Sequence, residues 1–498
     1  MSRAEQRIAE LEAALAERDA EASGREAGHR VRHAEQALRI AEGEARIEKL
    51  ERLVEKLQER LGLNSSNSSL PPSTDRGKNA RRNAKKAKRK RGKRKRGGQK
   101  GHTGHHRELL PPEQVDAFQD HYPDACDNCG KELPEVSDED PFRHQVTELP
   151  PVKPHVTEHR RHLVTCTCGC ETRAGLPPEV PKGIFGPRLV ATVTLLTGLY
   201  RLSKRNARRV LRELFGVEMS LGSVSQCERL MSDALARPHA ELHRHVETLP
   251  IVHADETSWR QGHQGHWLWV ACTTALAFFM IQGRRTTQCA KELLGDTPAR
   301  AAVLLTDRLG SYAWWPGRRQ VCWAHLLRMF QGLAEKKNGC FAQIYGSQLL
   351  LLTKQMFRWW HRVRDGTLAR STFQHYMRPV RKEFEKLLED AASCGSLSIT
   401  GKAEALLDDW DALWTFLTVE GVEPTNNLAE RDLRHAVIHR RTSFGTDSAR
   451  GSRFIERMLT AVESLRKQDR DVLGFLIDAH RAHALRWPSP SLLPGLAA

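Results

Sequence analysis

Two short apolar runs, each ending in an aspartate, constrain this chain more than any other feature. In LPIVHADETSW the run Pro250-Ile-Val leads to Asp255, and in AAVLLTDRLGSY the run Val303-Leu-Leu leads to Asp307. Runs this short, rich in aliphatic residues and followed at once by acids, read as buried strands. Such strands would hold both carboxylates at one edge of a sheet. HWLWVACTTALAFFMI reads as two further strands, Ala290–Gly295 as a short helix, and RQVCWAHLLRMF as a short strand running into a helix. Residues 340–420 are almost wholly helical in pattern, with QLLLLTKQMFRWWHRV as an apolar face; NNLAERDLRHAV and the segment around Phe454–Lys467 are helical too. Strands first, then helices against one sheet, predict an α/β core carrying a helical insertion.

The N-terminal part is different in kind. Residues 1–62 are rich in Ala, Glu, Arg and Leu, and Ile47, Leu50, Val54, Leu57 and Leu61 repeat at intervals of three and four with charges between them. That is a heptad seam, which predicts a self-associating coiled coil; a lone amphipathic helix packed on the body is the other reading. Asn64–Asp75, NSSNSSLPPSTD, is a linker. Between Arg76 and Lys100 stand fifteen Lys or Arg and no acid, nearly the whole of the net charge of +17. The densest part comprises Lys85, Lys86, Lys88, Arg89, Lys90, Arg91, Lys93, Arg94, Lys95 and Arg96. A run like this stays disordered when free and binds phosphates through counterion release without reading sequence. The N-terminus lacks an apolar leader, and no window approaches the length of uncharged apolar chain that spans a bilayer, so a cytoplasmic protein with DNA as partner is expected.

Eleven cysteines, an odd number, argue against a disulfide framework. Five lie in the Pro-rich residues 110–182, which otherwise show alternating β-type runs. Cys126-Asp-Asn-Cys129 followed by Gly130 has the form of a zinc knuckle, and Cys166, Cys168 and Cys170 follow about forty residues on. Four thiolates make a closed structural zinc site. Cys126, Cys129, Cys166 and Cys168 are the expected ligands, although Cys170 can replace either of the last two. In residues 187–236 Ser203 and Ser220 are placed to cap two helices separated by Phe215-Gly216. A helix-turn-helix and an ordinary helical hairpin both fit.

Carboxylates gathered without a basic partner repel, and they persist best around divalent cations. Asp255 and Asp307 then need a third acid. Glu430 is the best candidate, beside Asn426, Asn427, Arg431 and Arg434, whose amides and cations suit a phosphate-bearing substrate. Cys322 and His325 in CWAHLLR are spaced like half a metal site with no second half nearby in sequence.

Taken in order, NSSNSSLPPSTD, RKRGGQKGHTGH, the Cys-pair region, HADET, LLTDRLGSY, CWAHLLR and NNLAERDLR closely resemble the insertion-sequence-66 family of transposases, from about Leu63 to Lys467. The resemblance implies a ribonuclease H-like catalytic core with an α-helical insertion before the last acid. It implies that Asp255, Asp307 and Glu430 are a DDE triad holding two magnesium or manganese ions, with Glu256 outside the site. It also supports structural zinc in residues 110–182, and the family carries a similar Cys-x-x-His segment after the second acid. His325 and Arg328 read as near the active site, contacting DNA or a carboxylate; a core histidine on a buried helix fits His325 equally. The implied reaction is metal-dependent cleavage at the element's ends, freeing a 3′-hydroxyl that attacks target DNA. The implied partners are DNA, a second copy of the chain or more, and small accessory proteins of the same element. A non-catalytic zinc-containing DNA-binding regulator and a structure-specific nuclease without strand transfer are the rivals. The expected divisions are a coiled-coil helix at 1–62, linker and basic tail at 63–109, and a zinc-binding domain at 110–182. A helical DNA-binding region at 183–248 follows, then the core at 249–339, its helical insertion at 340–422, and the rest of the core with C-terminal helices at 423–498.

Overall fold

The structure is a computed structural model and describes residues 108–495 apart from 182, 297–301 and 337–339; nearer the N-terminus it describes residues 36–47, 49–50 and the isolated positions 7, 18, 53 and 67. By its internal contacts the chain divides into two compact units, residues 1–84 with 327–357 and residues 85–326 with 358–498. In the first, residues 36–47 are helical and exposed. Of the predicted heptad seam only Ile47 and Leu50 are described, and both are exposed. The rest of the seam, and the basic run from Arg76 to Lys100, lie outside the described residues.

The second unit begins with the Cys-rich segment, where two short strands, β1 (Leu163–Thr165) and β2 (Glu171–Arg173), form an antiparallel hairpin. Helices α1 (Pro187–Thr194), α2 (Lys204–Phe215), α3 (Leu221–Ala234) and α4 (Ala236–Val246) follow. The main sheet comprises β3 (Ile251–Gln261), β4 (Gln264–Cys272), β5 (Ala277–Gln282), β6 (Val303–Thr306) and β7 (Arg318–Val321), with α5 (Thr287–Leu294) between β5 and β6. After β7 come α6 (Trp323–Ala334) and α7 (Phe341–Arg364), whose residues 327–357 belong to the first unit, and then α8 (Arg370–Ser393), α9 (Thr400–Asp408) and α10 (Trp410–Thr418); α11 (Asn427–Ser443), α12 (Ala449–Lys467) and α13 (Val472–Leu485) follow.

The sheet order is β5-β4-β3-β6-β7: β3, β4 and β5 form an antiparallel meander, and β6 and β7 run parallel to β3. Aliphatic and aromatic residues make these strands because they pack well on a pleated, buried surface, and Trp269, Phe278 and Phe279 are fully buried there. Gly262, at φ +57, supplies the left-handed residue that turns β3 into β4.

Bare sheet edges invite pairing with other chains, and helices cover both edges here. Along β5, Ala277 N donates to Ser464 Oγ (3.1 Å), Phe279 N to Thr460 Oγ1 (3.0 Å) and Ile281 N to Glu456 Oε2 (3.0 Å). Four residues of helix advance about 6 Å and two residues of strand about 6.8 Å, so α12 can match alternate strand positions turn by turn. At the other edge Thr415 Oγ1 of α10 donates to Arg319 O (2.6 Å), and the Gln320 amide accepts from Phe416 N (2.7 Å) and donates to Leu413 O (3.2 Å).

The two predicted caps are present: Ser203 Oγ accepts from Asn206 N and Ser220 Oγ from Ser223 N, with Gly216 at φ +64 ending α2. In residues 110–182 few of the alternating β-type runs form strands. Apart from the β1–β2 hairpin and a single bridge, Ala125 with Glu132, the described residues there pair no strands. Prolines recur through the segment and remove the backbone donors a ladder needs. Phe142, Val146, Leu149 and Val156 are left exposed.

Candidate active site

The parallel pairing of β3 with β6 places Ile251 beside Val303 and His253 beside Leu305. β3 runs on through Asp255, and Asp307 is the residue that follows β6, so the two acids leave this paired stretch on the same side. Each aspartate is held locally, Asp255 Oδ1 accepting from Glu256 N (2.9 Å) and Asp307 Oδ1 from Leu309 N (3.0 Å). Burial pushes the Asp255 carboxyl well above the usual carboxylate range, and the charges of Glu256, Asp307 and Glu430 push it further. Acids that raise one another's pKa in this way are relieved by a cation between them.

Glu430 reaches this region because Asn426 ties the start of α11 to β3. The Asn426 amide donates to Ala254 O (2.8 Å), and its Oδ1 meets His253 Nδ1 at 3.0 Å; its backbone N donates to Cys322 Sγ at 3.2 Å. Asn426 is buried, so its polar atoms serve the fold rather than a substrate, unlike the expectation from sequence. Two residues beyond Glu430, Asp432 points elsewhere on the helix and is buried against Lys467 at 2.9 Å. Arg431 and Arg434 are exposed.

Adjacent residues of a strand face opposite sides, and Glu256 faces away from Asp255. Its buried carboxylate pairs with the Arg285 guanidinium and accepts from Tyr312 Oη at 2.7 Å. Tyr312 follows Asp307 in the same loop, so Glu256 joins β3 to the segment that carries the second acid. Arg308, next to Asp307, turns to Asp409 (3.1 Å), which also binds Arg319 (2.7 Å). Sequence reasoning did not single out Arg285, Tyr312 or His253, and it gave Asn426 a substrate role in place of its structural one. Their roles depend on partners that lie from 29 residues away, for Arg285 and Glu256, to 173, for His253 and Asn426.

Cys322 starts α6 and His325 follows one turn on. His325 Nδ1 stands 3.8 Å from Glu430 Oε1. Cys322, His325 and Glu430 offer ligand atoms all within 4.8 Å of one another, the one such group of three or more His, Cys, Asp or Glu among the described residues. Burial pushes the Cys322 thiol up to about 11. Asp255, Asp307 and Glu430 do not meet that spacing, nor need three carboxylates around two ions about 3.5–4 Å apart.

The predicted zinc cysteines form two separate knuckles. Cys126 N donates to Lys131 O and Gly130 N to Cys126 O, with Gly130 at φ +70. Cys166 N donates to Cys170 O and Gly169 N to Cys166 O, with Gly169 at φ +81. Hydrogen bonds from the Cys129 and Cys168 segments hold the Cys126 and Cys166 thiols below their ordinary range. Each knuckle thus presents a ready pair of sulfur donors, and Cys170 closes the second turn through its backbone.

Lys85–Arg96 of the predicted DNA-binding set lie outside the described residues. In the helical region, α2 exposes Lys204, Arg205, Arg208, Arg209 and Arg212, while α3 buries Val224, Cys227 and Met231. The basic face belongs to the first of the two helices, not the second, which a helix-turn-helix would place in the groove.

A mixed α/β fold with one acid inside a central strand, Asp255 in β3, and another just past the end of the neighbouring parallel strand, Asp307 after β6, defines the class of protein; β3 runs on to Gln261, so the strand end expected at Asp255 is not there. The model of the Transposase IS66 family matches residues 182–453, more than half of the chain, and the chain belongs to that family. A family of unknown function, DUF6444, matches residues 5–108. No curated protein matches the chain. Membership makes this a DNA-processing enzyme of transposition that binds DNA. No helix among the described residues is long and apolar enough to cross a membrane.

Proposed function

We propose that the chain is a DDE transposase that cleaves DNA at the ends of its insertion sequence and joins the freed 3′-hydroxyl to target DNA. The observation that supports this reading is the shared electrostatics of the three acids, the charges of Asp307 and Glu430 both raising Asp255, with Glu430 on a helix anchored to β3 through Asn426. The five-stranded sheet, a three-stranded meander continued by two parallel strands, is read as a ribonuclease H-like core, and α7 to α10 as its insertion before the third acid.

Asp255, Asp307 and Glu430 would hold two magnesium or manganese ions, which supply activation of the attacking oxygen and charge stabilisation at the phosphate. Oxygen-only donors and their mutual repulsion suit such hard cations. Glu256, already bound by Arg285 and Tyr312, would hold the Asp307 loop against β3. Arg431 and Arg434, exposed on the helix that carries Glu430, would meet the DNA backbone. The two cysteine knuckles would share one structural zinc. The basic tail would supply sequence-independent grip, and the heptad segment would pair protomers so that two ends meet in one complex.

A strand-transfer assay on DNA from the flanks of the source locus tests the reading. Metal-dependent nicking followed by joining to target DNA is the expected result. Binding without nicking would leave a regulator, and nicking without joining a nuclease.

A further inference from the structure

We infer that Cys322, His325 and Glu430 form a binding site for a soft divalent cation of the zinc class, which withdraws Glu430 from the acids at Asp255 and Asp307. This rests on the reading of Glu430 as the third acid. In sequence Cys322 and His325 are half a site; the fold brings in Glu430 as the third donor, so that the three ligand atoms lie within 4.8 Å of one another. A tetrahedral ion with bonds of about 2.0–2.3 Å holds its ligands roughly 3.3–3.8 Å apart. The cluster therefore needs to close by about 1.5 Å at most, within reach of side-chain rotation.

The donor set discriminates between cations. Thiolate, imidazole and carboxylate together suit zinc or cobalt, whereas magnesium takes oxygen ligands only. The sulfur is already oriented for the purpose. Asn426 N donates to Cys322 Sγ at 3.2 Å, an outer hydrogen bond of the kind that steadies a metal-bound thiolate. His325 turns Nδ1 toward Glu430 Oε1, and although these two atoms and Cys322 are buried, the rest of both side chains is partly exposed, at 21% and 34%, so the site lies just beneath the surface. Three protein ligands leave one tetrahedral position for water. Glu430 cannot serve this ion and the Asp255–Asp307 pair at full strength together, so the two kinds of cation compete.

The test compares full-length wild type with Cys322→Ser and His325→Gln. Cobalt(II) is titrated into each, and sulfur-to-cobalt charge-transfer absorption is followed. Bands from the knuckle cysteines are common to all three proteins and cancel in the difference. Wild type is expected to bind one more cobalt than Cys322→Ser, and His325→Gln is expected to bind that ion roughly tenfold more weakly or worse. Zinc added to the magnesium-dependent cleavage reaction should inhibit wild type at concentrations that Cys322→Ser tolerates. Equal cobalt stoichiometry and spectra in all three proteins overturn the inference, whatever the cleavage assay gives. If Cys322→Ser does not fold, His325→Gln, altered at a partly exposed position, carries the comparison. Failure of wild type to cleave with magnesium alone would count against the DDE reading, and the cobalt spectra would still judge the Cys322 site.

Discussion

Asp255, the fifth residue of β3, and Asp307, the residue after β6, lie close enough that the charge of Asp307 raises the Asp255 carboxyl; the paired register of the two parallel strands runs from Ile251 with Val303 to His253 with Leu305, two residues short of them. A one-residue slip would turn Asp307 to the other face of the sheet, so strand register is what brings the two acids to one place.

Glu256 is the natural rival for the first acid, and the two residues should be separable. Its buried carboxylate is bound by Arg285 and Tyr312. Glu256→Gln should lower stability by about 1–3 kcal/mol, since the hydrogen bonds from Arg285 and Tyr312 lose their buried charged acceptor, and the folded variant should still cleave. Thermal unfolding and a cleavage assay decide it. Loss of all cleavage in Glu256→Gln alongside full activity in Asp255→Asn would shift the first acid by one residue.

Metal analysis of purified protein should find about one structural zinc per chain, held by Cys126, Cys129 and two of Cys166, Cys168 and Cys170. Cys126→Ser should destabilise residues 110–182 and leave the sheet folded. An unchanged melting temperature after complete zinc removal would contradict this.

The strands, the helices of the insertion and the two serine caps could be read in the chain, because they follow from local periodicity and local hydrogen bonding. Only Asp307 follows a strand end, since β3 continues past Asp255 to Gln261 through its pairing with β4, but both acids were legible because each follows a short apolar run. The function of Asn426 was not, since an exposed and a buried asparagine look alike until the partner strand is known. The Glu256–Arg285–Tyr312 group and the cover that Glu456, Thr460 and Ser464 give to β5 were hidden likewise. The cysteine segment misled, because alternation there met prolines that cannot donate to a ladder.

Neutralising Lys85–Arg96 should weaken DNA binding about equally for all sequences and flatten its salt dependence, because phosphate contacts set that slope. Binding to random DNA as a function of salt is the measurement. An unchanged slope would remove the tail as the electrostatic anchor.

Stability should fall in mild acid. His239, bonded to Phe279 O at 3.1 Å, is lowered to about 4 by burial, and His439 is lowered to about 4 for the same reason. A base whose pKa falls on folding binds more protons when unfolded, so its stabilising effect is complete above about 6.5 and is lost as pH drops toward 4. Each contributes about 3 kcal/mol at most. Thermal melts between pH 7 and 4 should show the loss, and His239→Gln should reduce it; a melt independent of pH across that window would contradict the assignment.

Cleavage by the three acid variants tests the central claim most directly. Asp255→Asn, Asp307→Asn and Glu430→Gln preserve shape and remove the charge that holds a cation. Each should abolish strand cleavage with magnesium or manganese while DNA binding survives, and double variants should be little worse than single ones, because the residues act as a unit. Cleavage at near wild-type rate by any one of the three would show that its carboxylate is not part of the catalytic centre.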